Sequence, residues 1–227
     1  MVSIDARQLS ATEINRKIKE VAETSGEITI LNPQARHNIA VGVLKPCKIN
    51  VEGSVGYYGA SLMDGPEVHI SGNAGWALGE NLMGGKITVT KDAGASVAAS
   101  MRDGDIYVGR NVGARAGISM KGGTLLVGGN SGFLTGFMMQ KGRIIVCGDV
   151  GDAVGDSMYE GVIYIGGEIG SLGADAREEE ISEGELIELW DVLEQHGITE
   201  KPRFRKIVSE KKLYHFDTLE RLEMSAV

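Results

Sequence analysis

The side chains of this 227-residue sequence that could do chemistry form four groups: glycine triplets, a recurring methionine, a run of aspartates, and scattered histidines and cysteines. The triplets Gly72/Gly75/Gly79, Gly129/Gly132/Gly136 and Gly148/Gly151/Gly155 look superficially like a dinucleotide-binding fingerprint. That fingerprint is one copy, set between a strand and a helix, with an acidic residue about 20 positions on. Here the triplet repeats and no helical pattern follows it, so the glycines read as turn residues. Met63, Met101, Met120, Met139 and Met158 could suggest a soft-metal or haem site, but thioethers at one constant spacing read as core filler. Asp149, Asp152 and Asp156, with Tyr159, could hold a cation; a solvated face is the expected alternative. His37, His69, His196 and His215 lack ligand spacing. Cys47 and Cys147 make no CxxC pair, and although Lys48 beside Cys47 could lower its thiol pKa, both are expected to be inert free thiols of a reducing compartment. No nucleophile elbow, P-loop or zinc pattern is present. No catalytic, cofactor-binding or metal-binding residue is therefore assigned.

What must position these residues is a repeat. The glycines Gly56, Gly75, Gly94, Gly113, Gly132, Gly151 and Gly170 recur every 19 residues without insertion. Seven positions after them comes the column Met63, Leu82, Met101, Met120, Met139, Met158. Twelve after comes Val68, Ile87, Ile106, Leu125, Ile144, Ile163, and fourteen after comes Ile70, Val89, Val108, Val127, Val146, Ile165. The last two columns have strand spacing, with i and i+2 on one face. A lone strand cannot bury that face, whereas stacked copies bury it as a continuous core. Nineteen residues are too few for a helix-pair repeat or a propeller blade. They suit one turn of a parallel β-helix, three short strands and three corners, with glycine expected at corners that need φ > 0. About seven coils at roughly 4.8 Å each give a column near 30 Å long. One coil is irregular: Lys91 replaces the leading glycine, and Ala98 stands where Gly79, Gly117, Gly136 and Gly155 stand elsewhere.

The flanks differ in kind. Residues 1–50 read as an α/β lead-in, with Ser10 and Glu13 forming a capping box, an apolar stripe of Ile14, Ile18, Val21 and Ala22, and a strand over 27–31. This segment is expected to cover the open first coil. Residues 51–173 are the β-helix, and residues 174–227 are a helix plus tail, the helix announced by Ser182 and Glu185 and by Leu186, Leu189, Trp190 and Leu193. The stretch 175–194 is acidic and 201–212 basic, which predicts either two solvated faces or a tail that docks on a partner or folds back on the column. The net charge of −8 argues against a nucleic-acid partner, no apolar run reaches membrane-spanning length, and no secretion signal is seen, so a cytoplasmic protein is expected.

The repeated G-x-x-G-x-x-x-G pattern resembles the GXGXG domain at the C-terminal end of the glutamate synthase large subunit. It also resembles the formylmethanofuran dehydrogenase subunit that shares this domain. The segment ARHNIAVGV (35–43) is similar to the lead into that family's first coil, and the tail FRKIVSEKKLYHF (204–216) to stand-alone versions, including those of N-methylglutamate synthase-like systems. The resemblance implies an all-β core folded as a right-handed parallel β-helix. It implies a non-catalytic structural subunit of a glutamate synthase-type oxidoreductase, bridging a glutaminase (amidotransferase) subunit and an FMN-binding synthase subunit and helping to hold the ammonia route between them. FMN and iron–sulfur centres are then expected on the partners and none on this chain, with a homo-oligomer possible. Two alternatives are a scaffold in a formylmethanofuran dehydrogenase-like complex and, from another class, a carbohydrate-active β-helix enzyme.

Overall fold

A computed structural model describes residues 2–24 and 26–211. The strands are β1 (Val2–Asp5), β2 (Glu27–Leu31), β3 (Lys48–Glu52), β4 (Glu67–Ile70), β5 (Lys86–Val89), β6 (Asp105–Val108), β7 (Lys121–Val127), β8 (Lys141–Val146), β9 (Val162–Ile165), β10 (Ala176–Glu179) and β11 (Arg205–Ser209). The helices are α1 (Ala11–Ala22) and α2 (Glu183–Gln195). All eleven strands form one sheet, in the order β1 to β9, then β11, then β10. From β1 to β9 every pairing is parallel, and through the repeats Val68, Ile87, Ile106, Leu125, Ile144 and Ile163 stand in register, one coil above the next. This is a parallel β-helix of about seven turns. The sheet runs unbroken from β2 into β3, so residues 27–50 form a coil of the same column.

The inward columns coincide in space because each coil has one length. Met63, Leu82, Met101, Met120, Met139 and Met158 are all fully buried, as are Ile87, Ile144, Ile163, Val89 and Val146. Each such side chain contributes about 1.5–3 kcal/mol by burial.

Opposite the sheet lies a wall that is not a strand. In the coils of Gly56 to Gly151 the second, fourth and sixth residues after the marker glycine are left-handed: Ala77 (φ 56°), Gly79 (66°) and Asn81 (53°), then Ser96 (60°), Ala98 (60°) and Ser100 (53°), and onward. This alternation turns successive amides to opposite sides. The Ala77 and Asn81 N–H groups donate to Ala95 and Ala99 of the following coil, while the Gly79 N–H donates to Gly59 of the preceding one. Left-handed backbone costs about 1–2 kcal/mol per residue, and here hydrogen bonds to both neighbouring coils offset it.

The marker glycines Gly56, Gly75, Gly94, Gly113, Gly132, Gly151 and Gly170 are not left-handed, contrary to the expectation that corners demand positive φ of them. They are required by close approach. A Cβ on Gly113 would stand 2.7 Å from the Ala95 nitrogen, and one on Gly132 2.7 Å from the Ala114 nitrogen, both on the stacked coil. Ala98 keeps the left-handed conformation of its glycine counterparts, so the irregular coil continues the column.

A polar ladder two residues before each marker glycine fixes the spacing between coils. Ser54 Oγ accepts from the Asn73 N–H (2.9 Å), Asn73 Oδ1 from Asp92 (3.1 Å), Asp92 Oδ1 from Asn111 (3.2 Å), Asn111 Oδ1 from Asn130 (2.9 Å), Asn130 Oδ1 from Asp149 (2.8 Å) and Asp149 Oδ1 from Glu168 (2.8 Å). Short Asn, Asp and Ser side chains suit this because they reach a backbone N–H without slack.

Both ends are closed. At one end β1 adds a strand, and α1 packs with Ile14, Ile18 and Ala22 buried; its Ser10/Glu13 capping box is formed. At the other, β11 pairs antiparallel with β9, buries Ile207 and is flanked by β10. An antiparallel strand ends the parallel stack, and the charged β10 makes a poor template for further pairing. The basic tail thus folds back. Arg205 pairs with Glu178 (2.7 Å), Lys206 with Glu185 (2.7 Å) and Glu179 (3.0 Å), Lys201 with Glu194 (3.3 Å) and Lys211 with Asp175 (3.1 Å). Helix α2, with the expected Ser182/Glu185 capping box, lies across the outer face of the sheet. There Leu189 and Leu193 pack with Leu126, Ile145, Tyr164 and Phe204.

Candidate functional site

The chemically capable residues are distributed along the column rather than gathered in a cleft. The glycine triplets span the turn from the sheet into the left-handed wall, and no helix follows them, so the structure has no dinucleotide cradle of the strand–helix kind. The methionine sulfurs lie inside the fully buried core.

The aspartates are occupied by fastening the last coil. Asp149 belongs to the ladder, Asp152 Oδ1 accepts from the Ser171 hydroxyl (3.1 Å), and Asp156 accepts from the Ala174 N–H (3.2 Å) and the Ser157 hydroxyl (2.8 Å). Tyr159 receives the Lys211 ammonium 4.8 Å above its ring. Among the described residues no group of three His, Cys, Asp or Glu side chains is arranged to hold a metal.

The histidines stand apart. His37 stacks on Tyr57 (4.5 Å) and its Nδ1 accepts the Tyr57 N–H (2.8 Å); His69 is exposed on the outer face of the sheet; His196 packs against Tyr107 (4.5 Å), where burial lowers its pKa and favours the neutral ring. His215 lies outside the described residues. Burial pushes the Cys47 thiol up rather than down, and that of Cys147 up to about 11, so both are protonated thiols at neutral pH.

Sequence reasoning missed two features. One is the polar ladder, visible in retrospect as Ser, Asn, Asp, Asn, Asn, Asp and Glu at positions 54 to 168 in steps of 19. The other is the surface of the left-handed wall. Half of the exposed large apolar side chains among the described residues lie along it: Tyr57, Tyr58, Leu62, Trp76, Phe133 and Met138. Tyr57 and Trp76 continue the His37 stack with ring centroids 5.3 Å apart, and the Arg115 guanidinium lies 5.3 Å over Phe133. Between Trp76 and Phe133 the same outward position holds Ala95 and Ala114. The wall is therefore a ridge, a trough and a second ridge.

At the C-terminal cap, Glu185 has its pKa lowered to about 2, chiefly by the Lys206 ammonium and then by the Ser182 N–H, with the Ser182 and Tyr164 hydroxyls adding to it. A depressed carboxylate pKa gives stability that is present above the unfolded value and is lost as pH falls towards the folded one. Glu185→Gln should therefore lower the melting temperature at pH 7, and the gap from the parent protein should close as pH falls from about 5 to about 2. A gap of equal size at pH 2.5 would show that the charge is not what holds the cap.

Comparison with known proteins agrees with this architecture. The family described as the GXGXG motif matches residues 4–210. Protein GlxC of Rhizobium meliloti (strain 1021) is 38% identical over 70 residues, which cover 30% of this chain and 31% of that protein. The matched stretch thus spans about a third of that relative. The chain belongs to the GXGXG family and resembles the C-terminal region of the glutamate synthase large subunit.

Proposed function

We propose that this chain is a non-catalytic structural subunit of a glutamate synthase-type assembly, a rigid column that holds a glutaminase subunit and an FMN-binding synthase subunit at fixed separation. The observation that carries the reading is where the reactive side chains go. Aspartates fasten coils, methionines fill the core, both thiols are held protonated, and the acidic and basic stretches neutralise each other at the cap. What such a fold offers is stiffness, since every coil is hydrogen-bonded to its neighbours on the sheet, at the polar ladder and along the left-handed wall. A stiff spacer fixes the distance between two partner sites, which is what delivery of a small reactive intermediate such as ammonia demands. Flavin and iron–sulfur chemistry then belongs to the partners, and the cytoplasm is the expected setting. Among the described residues no helix is long and apolar enough to cross a membrane.

Native purification of the tagged chain from its source tests this. The expected result is a complex of fixed stoichiometry with glutaminase activity and a flavin spectrum. Recovery of the chain alone, with both partners expressed, would overturn the reading. A molybdopterin-containing complex would replace it with the formylmethanofuran dehydrogenase-like alternative.

A further inference from the structure

We infer that the left-handed wall is a self-association surface, on which a second copy of this chain docks antiparallel about a two-fold axis. The order of large and small residues along the wall carries this, independently of the scaffold reading.

Count coils from the one containing His37 as zero, so that Tyr57, Trp76, Ala95, Ala114 and Phe133 occupy the same outward position in coils one to five. Rungs are about 4.8 Å apart. Coils one and two form an aromatic ridge, with Tyr57 42%, Tyr58 47%, Leu62 47% and Trp76 59% exposed. Coils three and four form a trough of Ala95, Ser96, Ala114 and Ser119, and coil five rises again at Phe133 and Met138. A two-fold axis midway between coils two and three lays each coil k on coil 5 − k of the other copy.

Large then meets small at each of these positions. Trp76 lies on Ala95, Tyr57 on Ala114, Leu62 on Ser119 and Met138 on Gly42. At the rim Phe133 meets the His37 ring, and Arg115 comes opposite Tyr58, an aromatic face suited to a guanidinium. An isologous interface requires this self-complementarity, because every contact occurs twice. The alternatives are poorer. A parallel arrangement sets ridge on ridge and trough on trough. Leaving the ridge bare exposes a contiguous apolar patch of about 400 Å², a size that on a monomer is often a functional surface.

Charge permits the contact. On a chain of net charge −8, the outward positions of this wall in coils one to five carry only Glu80 and Arg115. The paired faces of coils one to five are thus nearly neutral, while the acidic Asp152 and Asp156 of coil six come opposite α1 of the other copy, whose Asn15 bonds Asn38 and Val41 of coil zero. The area is sufficient for a modest dimer. Six ridge side chains about half exposed present on the order of 600 Å² per copy, at roughly 200 Å² per large side chain. Two copies bury about 1,200 Å², the low end for a specific interface. The expected complex is reversible.

Sedimentation equilibrium of the purified full chain between about 1 and 100 µM tests this. The parent protein should populate a dimer in that range. Ala114→Arg fills the trough and Trp76→Ala removes the main knob; each should raise the dimer Kd by about 100-fold or more. Neither should alter the fold, since the same position holds Trp, Phe, Asp and Ser in other coils, and an unchanged circular dichroism spectrum and melting temperature for the monomer verify this. His69→Arg, on the opposite face of the column, should leave Kd unchanged. A strictly monomeric parent at 100 µM would overturn the inference. So would a dimer indifferent to both wall variants, which would place self-association elsewhere.

Discussion

Met120→Asp is expected to yield no folded protein. Met120 is fully buried at the midpoint of a column whose members above and below, Met101 and Met139, are equally buried. A carboxylate there would face thioethers and aliphatic groups inside a fully buried core. Burying an unpaired charge costs several kcal/mol even after relaxation, and the group would protonate rather than remain ionised. The protonated acid still leaves polar atoms unpaired and removes the methionine's contribution of about 1.5–3 kcal/mol. Set against a typical domain stability of about 5–15 kcal/mol, one such substitution removes most of the margin. In a stacked array the damage also spreads, because each coil is the template for the next. Met120→Leu supplies the contrast: it conserves volume and polarity and should cost less than about 1.5 kcal/mol. Expression, solubility and circular dichroism read the result. A soluble Met120→Asp protein melting at the parent temperature would mean that the methionine column is not the core.

The architecture was legible because the period is invariant. Once Gly56 to Gly170 align, the β-branched columns fix the strands and the methionine column fixes a second inward face. Helix starts were equally readable, since the Ser10/Glu13 and Ser182/Glu185 boxes are local chemistry. Where α2 would lie was written in a column that went unread. The outward sheet position changes from polar Asn50, His69 and Thr88 to apolar Tyr107, Leu126, Ile145 and Tyr164, and α2 covers the apolar part. The glycines misled for a physical reason. A sequence reports that a Cβ is forbidden but not whether a dihedral or a neighbour forbids it. The left-handed positions meanwhile hid behind ordinary residues such as Tyr58, Leu62 and Arg115, because their strain is compensated by hydrogen bonds to other coils and not by their own side chains. A candidate site was illegible because self-complementarity between coils becomes visible only when stacked positions are compared along one face.

Those two kinds of glycine predict unequal costs for the same substitution, in the reverse of the order their dihedrals suggest. Gly117 is left-handed (φ 70°), and an added Cβ would stand 2.3 Å from Ile144 Cδ1. The backbone penalty is about 1–2 kcal/mol, and the clashing atom is the tip of a side chain that can change rotamer. Alanine already occupies this column at Ala60 (φ 52°) and Ala98 (φ 60°), so the conformation tolerates it. Gly132 has an ordinary φ, and conformational preference alone would make alanine there harmless or slightly stabilising. Yet its added Cβ would lie 2.7 Å from the Ala114 nitrogen and 2.9 Å from the Gly113 carbonyl carbon, both backbone. No rotamer relieves that contact. The two coils must part, stretching the ladder bond from the Asn130 N–H to Asn111 Oδ1 (2.9 Å) beside it. Gly132→Ala is therefore expected to cost about 3 kcal/mol, the upper end for overpacking, and Gly117→Ala distinctly less. Gly184→Ala in α2, where a Cβ meets nothing within 4 Å, should be neutral or stabilising by up to about 1 kcal/mol. Urea midpoints of the three variants rank these costs. If Gly117→Ala proved as damaging as Gly132→Ala, backbone dihedrals rather than the packing of coil on coil would set the glycine pattern.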